Sequence, residues 1–179
     1  HNAGLTNTLR CFGKGCAALT LVGDLAKGIV AVLLSKGICE LLGTGLTAQN
    51  DVHFIGYIAG IFAILGHVFP IYYHFKGGKG VLVGAGAALA TEPLVCAVLL
   101  VVFLIEVAIT HIVSLGSIII AALYPVGTLI NLIAHGAGVP TVVFSTICCC
   151  LMAAMVIWLH RSNIERLRNG TEYRFGQKK

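Results

Sequence analysis

Gly66-His67-Val68-Phe69-Pro70-Ile71-Tyr72-Tyr73-His74-Phe75-Lys76-Gly77-Gly78-Lys79-Gly80 joins two strongly apolar segments. It packs two lysines, two histidines, four aromatics and a Gly-Gly-Lys-Gly turn into one short connection. Glycines let backbone N–H groups converge on one spot and a lysine adds charge, which describes an anion cradle. The same residues also describe a loop leaving a membrane, with an aromatic belt and basic anchors. Taken by itself the stretch supports both readings.

What surrounds it decides the class. The 179 residues are 58% hydrophobic and only 11% charged, against roughly 25% charged residues in soluble domains. Mean hydropathy is +0.94. Apolar runs separated by short polar clusters define an all-α polytopic membrane protein, a helical bundle of about six spans. The net charge of +5 is not gathered into a stripe suited to nucleic acid, so nucleic acid is not an expected partner. The seven cysteines include no C-x-x-C pair and no zinc-type spacing; Cys96, Cys148, Cys149 and Cys150 lie in apolar runs as small packing residues. No metal and no cofactor is expected.

Residues 1–15 are polar, with Arg10 and Lys14, and are expected outside the hydrocarbon. Residues 15–34 form a first span, carrying Asp24 and Lys27 three apart on one helix face. Each charge costs on the order of 3 kcal/mol at the bilayer centre, so the two should pair or face protein. Residues 35–51 read as a loop and 52–73 as a span. Residues 81–110 are broken at Thr91-Glu92-Pro93, which suggests two short helices with a turn between them, one long kinked span being the alternative. Residues 110–117 are a polar interruption, 118–134 a span kinked at Pro125, and 140–159 the last span. Residues 160–179 form a polar, basic tail.

Alternating the spans from a cytoplasmic tail puts Arg10, Lys14, Lys76, Lys79 and the tail on one face, leaving only Lys36 opposite. This agrees with the positive-inside rule provided that 81–110 crosses twice. Four polar segments then converge, offering Asn2, Asn7, Arg10, Lys76, Lys79, His111, Ser114, Ser117, His160, Asn163 and Arg166. The set is rich in donors and cations and poor in carboxylates, with Glu165 as the competitor. Such a set suits phosphate; anchoring to anionic headgroups is the alternative, and is preferred for Arg168, Arg174, Lys178 and Lys179. His160, Asn163 and Arg166 follow at i, i+3 and i+6 on one face of a helix continuing the last span. Lys79 does not sit in a Walker pattern, because Gly80 follows it and Tyr73 stands where the first glycine belongs. No histidine has an aspartate five residues on, and no serine lies in Gly-x-Ser-x-Gly.

At these residues the sequence resembles the bacterial integral-membrane acyl-phosphate:glycerol-3-phosphate acyltransferases, the PlsY family. The family's Gly-Ser-Gly-Asn-Pro-Gly-Ala-Thr-Asn motif, with its following arginine, is matched by Asn2-Ala3-Gly4-Leu5-Thr6-Asn7 and Arg10. Gly-His-x-x-Pro with Phe-Lys-Gly-Gly-Lys-Gly-Val is complete over residues 66–81, and Val-Ser-x-x-Ser is matched by Val113, Ser114 and Ser117. His-x-x-Asn-Ile-x-Arg-Leu is matched at His160 to Leu167, and Gly-Asp-x-x-Lys-Gly at Gly23 to Gly28. Three positions depart: His1 for Gly, Ala3 for Pro and Leu5 for Ala. The motif serine would precede His1, so the chain is expected to be one membrane-embedded acyltransferase domain over residues 1–179 that lacks its first transmembrane helix, the family having seven spans.

The resemblance implies transfer of a fatty acyl group from acyl phosphate to the 1-hydroxyl of sn-glycerol 3-phosphate, giving lysophosphatidate and phosphate, at the bacterial cell membrane with the site facing the cytoplasm. It implies that Lys79, Arg10, His160 and Asn163 hold glycerol 3-phosphate, with Ser117 near the reacting phosphate groups and Lys79, Ser117 and Arg10 as the catalytic set. Asn2, Gly4, Thr6, Asn7, Gly77, Gly78, Gly80 and Ser114 complete the substrate-binding set. Acyl phosphate, glycerol 3-phosphate and membrane lipid are the implied partners, with the enzyme that makes acyl phosphate as a further candidate. The rival expectation is a membrane carrier or binding protein for a small phosphorylated anion, which would need its basic site near the bilayer midplane.

Overall fold

The computed structural model describes residues 4–44 and 53–175. Seven helices follow in order: α1 Leu5–Leu41, α2 His53–Val68, α3 Val81–Thr91, α4 Pro93–Thr110, α5 Val113–Ala134, α6 Val139–Leu159 and α7 Arg161–Arg168, with a single 3₁₀ turn at Ile71–Tyr73 between α2 and α3. Among the described residues five helices are long and apolar enough to cross a membrane: α1, α2 with its 3₁₀ extension, α4, α5 and α6. Side chains such as Leu19, Phe62, Leu104, Ile130 and Leu151 point outward from them, as lipid-facing residues must.

The sixth expected span is the short α3. Its 11 residues reach about 16 Å at 1.5 Å per residue, well under the roughly 30 Å hydrocarbon core. The break at Glu92 is therefore inside the protein, and the two-helix reading of residues 81–110 holds with one half-length member. Ending a helix there exposes carbonyls and a carboxylate that lipid cannot solvate. The Lys36 ammonium donates to the Ala90 carbonyl at 3.0 Å, and Glu92 accepts from Thr128 Oγ1 at 2.6 Å and Asn131 Nδ2 at 3.1 Å. These contacts hold Glu92, which is 2% exposed.

Several boundaries differ from the sequence expectation. Residues 5–12 are helical, and α1 runs through Lys36 and Glu40 to Leu41, so the first seven residues of the expected 35–51 loop are helix, while its residues 45–51 lie outside the described residues. A break at Gly13 (φ 81°) separates the polar first turns from the membrane-crossing part; that left-handed conformation is open to glycine at little cost. The polar interruption at 110–117 shrinks to His111-Ile112, because α5 starts at Val113 and carries Ser114 and Ser117 in its first turns. The tail does not simply continue α6: the chain turns at His160 before α7.

The α1–α3 crossing is set by two glycines. A Cβ on Gly28 would overlap the Val83 carbonyl oxygen and lie 2.6 Å from the Ala87 nitrogen, and one on Gly86 would overlap the Leu25 carbonyl oxygen. Small residues let backbones approach where no hydrophobic driving force separates helix from lipid. Gly86→Leu should therefore destabilise the detergent-solubilised protein by about 1–3 kcal/mol through overpacking, read as a lower midpoint in a thermal aggregation assay; an unchanged midpoint would show that α1 and α3 can separate freely.

Candidate active site

The polar segments meet where α2, α4 and α6 end and where α1, α3 and α5 begin. Lys79, just before α3, donates to Asn163 Oδ1 on α7. Asn163, 6% exposed, donates through Nδ2 to Glu172 Oε1 at 2.7 Å. Ser114 Oγ donates to the same oxygen at 2.7 Å, and Arg166 Nε to Glu172 Oε2 at 2.6 Å. Arg10 lies with its guanidinium carbon 3.5 Å from the centroid of the Tyr173 ring.

Glu172 is the residue that sequence reasoning missed. Glu165, weighed as the competing carboxylate, is exposed; Glu172 is the one among the cations. The chain reaches it because α7 ends at Asn169-Gly170. Gly170 is left-handed (φ 67°), Thr171 N–H donates to the Arg166 carbonyl at 2.9 Å, and Phe175 N–H reaches the His111 carbonyl at 2.6 Å. An Asn-Gly helix stop with a carboxylate two residues past the glycine in a basic tail was the available signal.

The electrostatics follow from burial. Lys79 is pushed down to about 8 from its usual 10.5 by loss of solvent, aided by Arg166 and Arg10 and opposed by Glu172. Burial by itself would raise the Glu172 carboxyl, but the hydrogen bonds from Ser114, Asn163 and Arg166 outweigh it and hold the group below its ordinary value. His160 is buried, and its pKa falls to about 4, mainly through desolvation, against the hydrogen bond to Val156. Its Nδ1 lies 2.7 Å from the Val156 carbonyl oxygen. A carbonyl can only accept, so Nδ1 carries the hydrogen and the neutral ring offers Nε2 as an acceptor. His160 is thus suited to a substrate hydroxyl rather than to phosphate.

The other expected site residues divide. Ser117 is 5% exposed and donates to the Val113 carbonyl at 2.9 Å within its own helix. Thr6 and Asn7 share the first turns of α1 with Arg10, Gly4 caps that helix, and Asn7 Oδ1 lies 3.9 Å from Cys11 Sγ. Asn2 lies outside the described residues. Gly77 donates its N–H to the Val68 carbonyl at 3.0 Å. Gly77, Gly78 and Gly80 (φ 79°) all turn the place of a Cβ toward α2 and its end, against His67, Pro70 and Ile64. The opening loop splits in two. Gly78 and Gly80 are buried, whereas Ile71, Tyr72, Tyr73 and Phe75 are 61–79% exposed beside exposed Lys76, as an interfacial belt requires.

A multi-helical membrane protein with a cationic, amide- and hydroxyl-lined site at one end of its bundle is the class these features define. The family model for glycerol-3-phosphate acyltransferase matches residues 1–170. A glycerol-3-phosphate acyltransferase of Clostridioides difficile (strain 630) is 42% identical over 178 residues, covering 99% of this chain and 80% of that protein. One of Syntrophomonas wolfei subsp. wolfei (strain DSM 2245B / Goettingen) is 40% identical over 177 residues, again with 99% and 80% coverage. Among solved structures, PlsY (YgiH), an integral membrane glycerol 3-phosphate acyltransferase in its lysophosphatidic acid form, superposes with a TM-score of 0.76 at 28% identity, covering 97% of this chain and 79% of that one. Its glycerol 3-phosphate form gives 0.75. The chain belongs to the glycerol-3-phosphate acyltransferase family, and it is a multi-pass membrane acyltransferase.

A pH dependence follows from Lys79. A lysine is charged below its pKa, so with Lys79 at about 8 the substrate-free enzyme loses that cation as pH rises through this value. The profile of kcat/KM for glycerol 3-phosphate, which reports the free enzyme, should bend downward near there. Lys79→Arg should move the bend up by more than about one pH unit, because guanidinium stays charged; superimposable profiles would contradict the assignment.

Proposed function

We propose that this protein moves a fatty acyl group from an acyl phosphate to the 1-hydroxyl of sn-glycerol 3-phosphate, releasing lysophosphatidate and inorganic phosphate, at the bacterial cell membrane with its site facing the cytoplasm. The observation that carries the reading is the convergence of Arg10, Lys79 and Arg166 with Asn163 and Ser114 at one end of the bundle, where electrostatic coupling joins Lys79 to both arginines. Its position at helix ends favours an enzyme over a carrier with a midplane site. The face also bears the chain's lysines and arginines except Lys27, Lys36 and those beyond the described residues, which supports a cytoplasmic orientation.

In this reading Lys79 and Arg10 neutralise phosphate, Asn163 donates to it through the amide hydrogen that Glu172 leaves free, Ser114 borders it while holding Glu172, and Nε2 of His160 accepts from a glycerol hydroxyl. The Gly-rich backbone of residues 77–80 and the first turns of α1, with Gly4, Thr6 and Asn7, border the bound groups, and Ser117 stands beside the reacting phosphate. Glycerol O1 attacks the acyl carbonyl carbon, the carbon–oxygen bond to phosphate breaks, and phosphate leaves with the electron pair. The hydroxyl proton goes to a substrate phosphate oxygen. The buried His160, down at about 4, is a weak base, and Glu172 is committed to three donors. An acyl phosphate already holds a good leaving group, so positioning and charge neutralisation supply the catalysis. The enzyme that produces acyl phosphate is a natural neighbour, because the donor is labile in water.

Purified full-length protein in detergent, with the motif serine and first transmembrane helix that the family carries ahead of His1, given palmitoyl phosphate and glycerol 3-phosphate, should release phosphate and lysophosphatidate one for one. Lys79→Ala should raise the KM for glycerol 3-phosphate and lower kcat/KM by about 100-fold, a loss of roughly 2.7 kcal/mol as expected for a buried charge-assisted contact. Phosphate release without lysophosphatidate would reject the acyltransferase reading.

A further inference from the structure

Beneath the loop that carries Lys79 lies a second polar group of residues that the proposed chemistry leaves unused. Asp24 is 5% exposed, on the packed face of α1 that also buries Gly28 and Val32. Its Oδ1 lies 2.9 Å from Lys27 Nζ and 3.6 Å from His67 Nδ1 near the end of α2. The Asp24 and His67 side chains are 7% and 8% exposed, whereas that of Lys27 is 58% exposed. A helix-surface Asp–Lys pair needs no burial of its carboxylate. Its carboxylate instead lies on the packed face of α1, where the His67 ring faces it from α2.

The far side of the His67 ring meets Gly78. A Cβ at Gly78 would overlap Nε2 and lie 2.9 Å from Cε1 and 3.2 Å from Cδ2, and its three nearest atoms all belong to His67. The neighbouring Gly77 hydrogen-bonds to Val68, and a Cβ on it would overlap the His67 carbonyl oxygen. The imidazole is thus the floor on which Gly77 and Gly78 rest, and the next residue is Lys79.

We propose that Asp24 and His67 are a positioning pair for the Gly77–Gly80 loop: Asp24 fixes the plane and tautomer of the imidazole, and the imidazole fixes the height at which Lys79 leaves the loop to meet Asn163. A carboxylate facing Nδ1 sets which ring nitrogen carries the hydrogen. Lys27 neutralises that carboxylate, which would otherwise be costly at this depth. Neither residue touches substrate. Their effect passes through Gly78, and the inference rests on reading Lys79 as a ligand for the phosphate of glycerol 3-phosphate.

The test is a kinetic cycle with purified protein in detergent, each variant first checked for a monodisperse gel-filtration peak. His67→Ala and Asp24→Ala should each raise the KM for glycerol 3-phosphate about tenfold while leaving the KM for palmitoyl phosphate within about twofold, the former being the size of one lost positioning contact. Asp24→Asn should recover most of the loss, because an amide oxygen still presents a negative dipole to Nδ1–H. Gly78→Ala should be as damaging as His67→Ala alone, yet add less than about twofold to it in the double variant, since trimming the ring removes the clash. If His67→Ala does not purify, His67→Gln takes its place in the cycle. Multiplying effects of Gly78→Ala and the His67 variant, or an unchanged KM in the Asp24 and His67 variants while Lys79→Ala raises it, overturns the proposal. An unchanged KM in Lys79→Ala itself overturns the reading of Lys79 instead.

Discussion

The Glu172 carboxylate is the contact through which segments far apart in the chain become one site. It accepts from Ser114 on α5 and from Asn163 and Arg166 on α7, and Asn163 in turn accepts from Lys79 at the start of α3. Lys79, Arg166 and Arg10 repel one another, since both arginines depress the lysine. A collection of like charges holds still only around a counter-charge. Glu172 supplies it in the protein, and its two oxygens take up donors that also suit a phosphate.

The remainder of the bundle answers a different constraint, that no polar group inside the bilayer can rely on water. It is met element by element. Lys36 and Glu92 make a half-length α3 tolerable, with Thr128 and Asn131 closing the carboxylate. Gly28 and Gly86 bring α1 and α3 to backbone contact. A short α3 in turn places the Gly77–Gly80 loop against the end of α2, with Asp24 and His67 below it.

Within that frame the opening loop has both of the characters its sequence allowed. Its first half turns Tyr72, Tyr73 and Phe75 outward with Lys76 as a membrane-surface belt, and its second half, with Gly78 and Gly80 buried, carries Lys79 into the site. The two histidines flanking the site differ for a similar reason. His67 faces a carboxylate and a glycine, whereas His160 faces a backbone carbonyl that fixes it as a neutral acceptor.

Composition and spacing by themselves determined the membrane class, the six apolar helices, the break before Pro93 and the convergence of four polar segments, because hydrophobic length and the placement of Lys and Arg are local properties of the chain. The motif matches named the family, and Lys79, Asn163 and Ser114 were legible as neighbours on one face. Helix ends were less legible: residues 5–12, 35–41 and 113–117 are polar enough to read as loop, yet they fold as helix where tertiary contacts or the interface accept their side chains. Glu172 could not be weighed from its place in a basic tail, since only the reversal at Gly170 carries it back to Ser114 and Asn163. The burial that lowers Lys79 and neutralises His160, and the pairing of Asp24 with His67 across two helices, were likewise decided by the tertiary structure. They depend on distance and desolvation between elements, which no spacing along a single chain encodes.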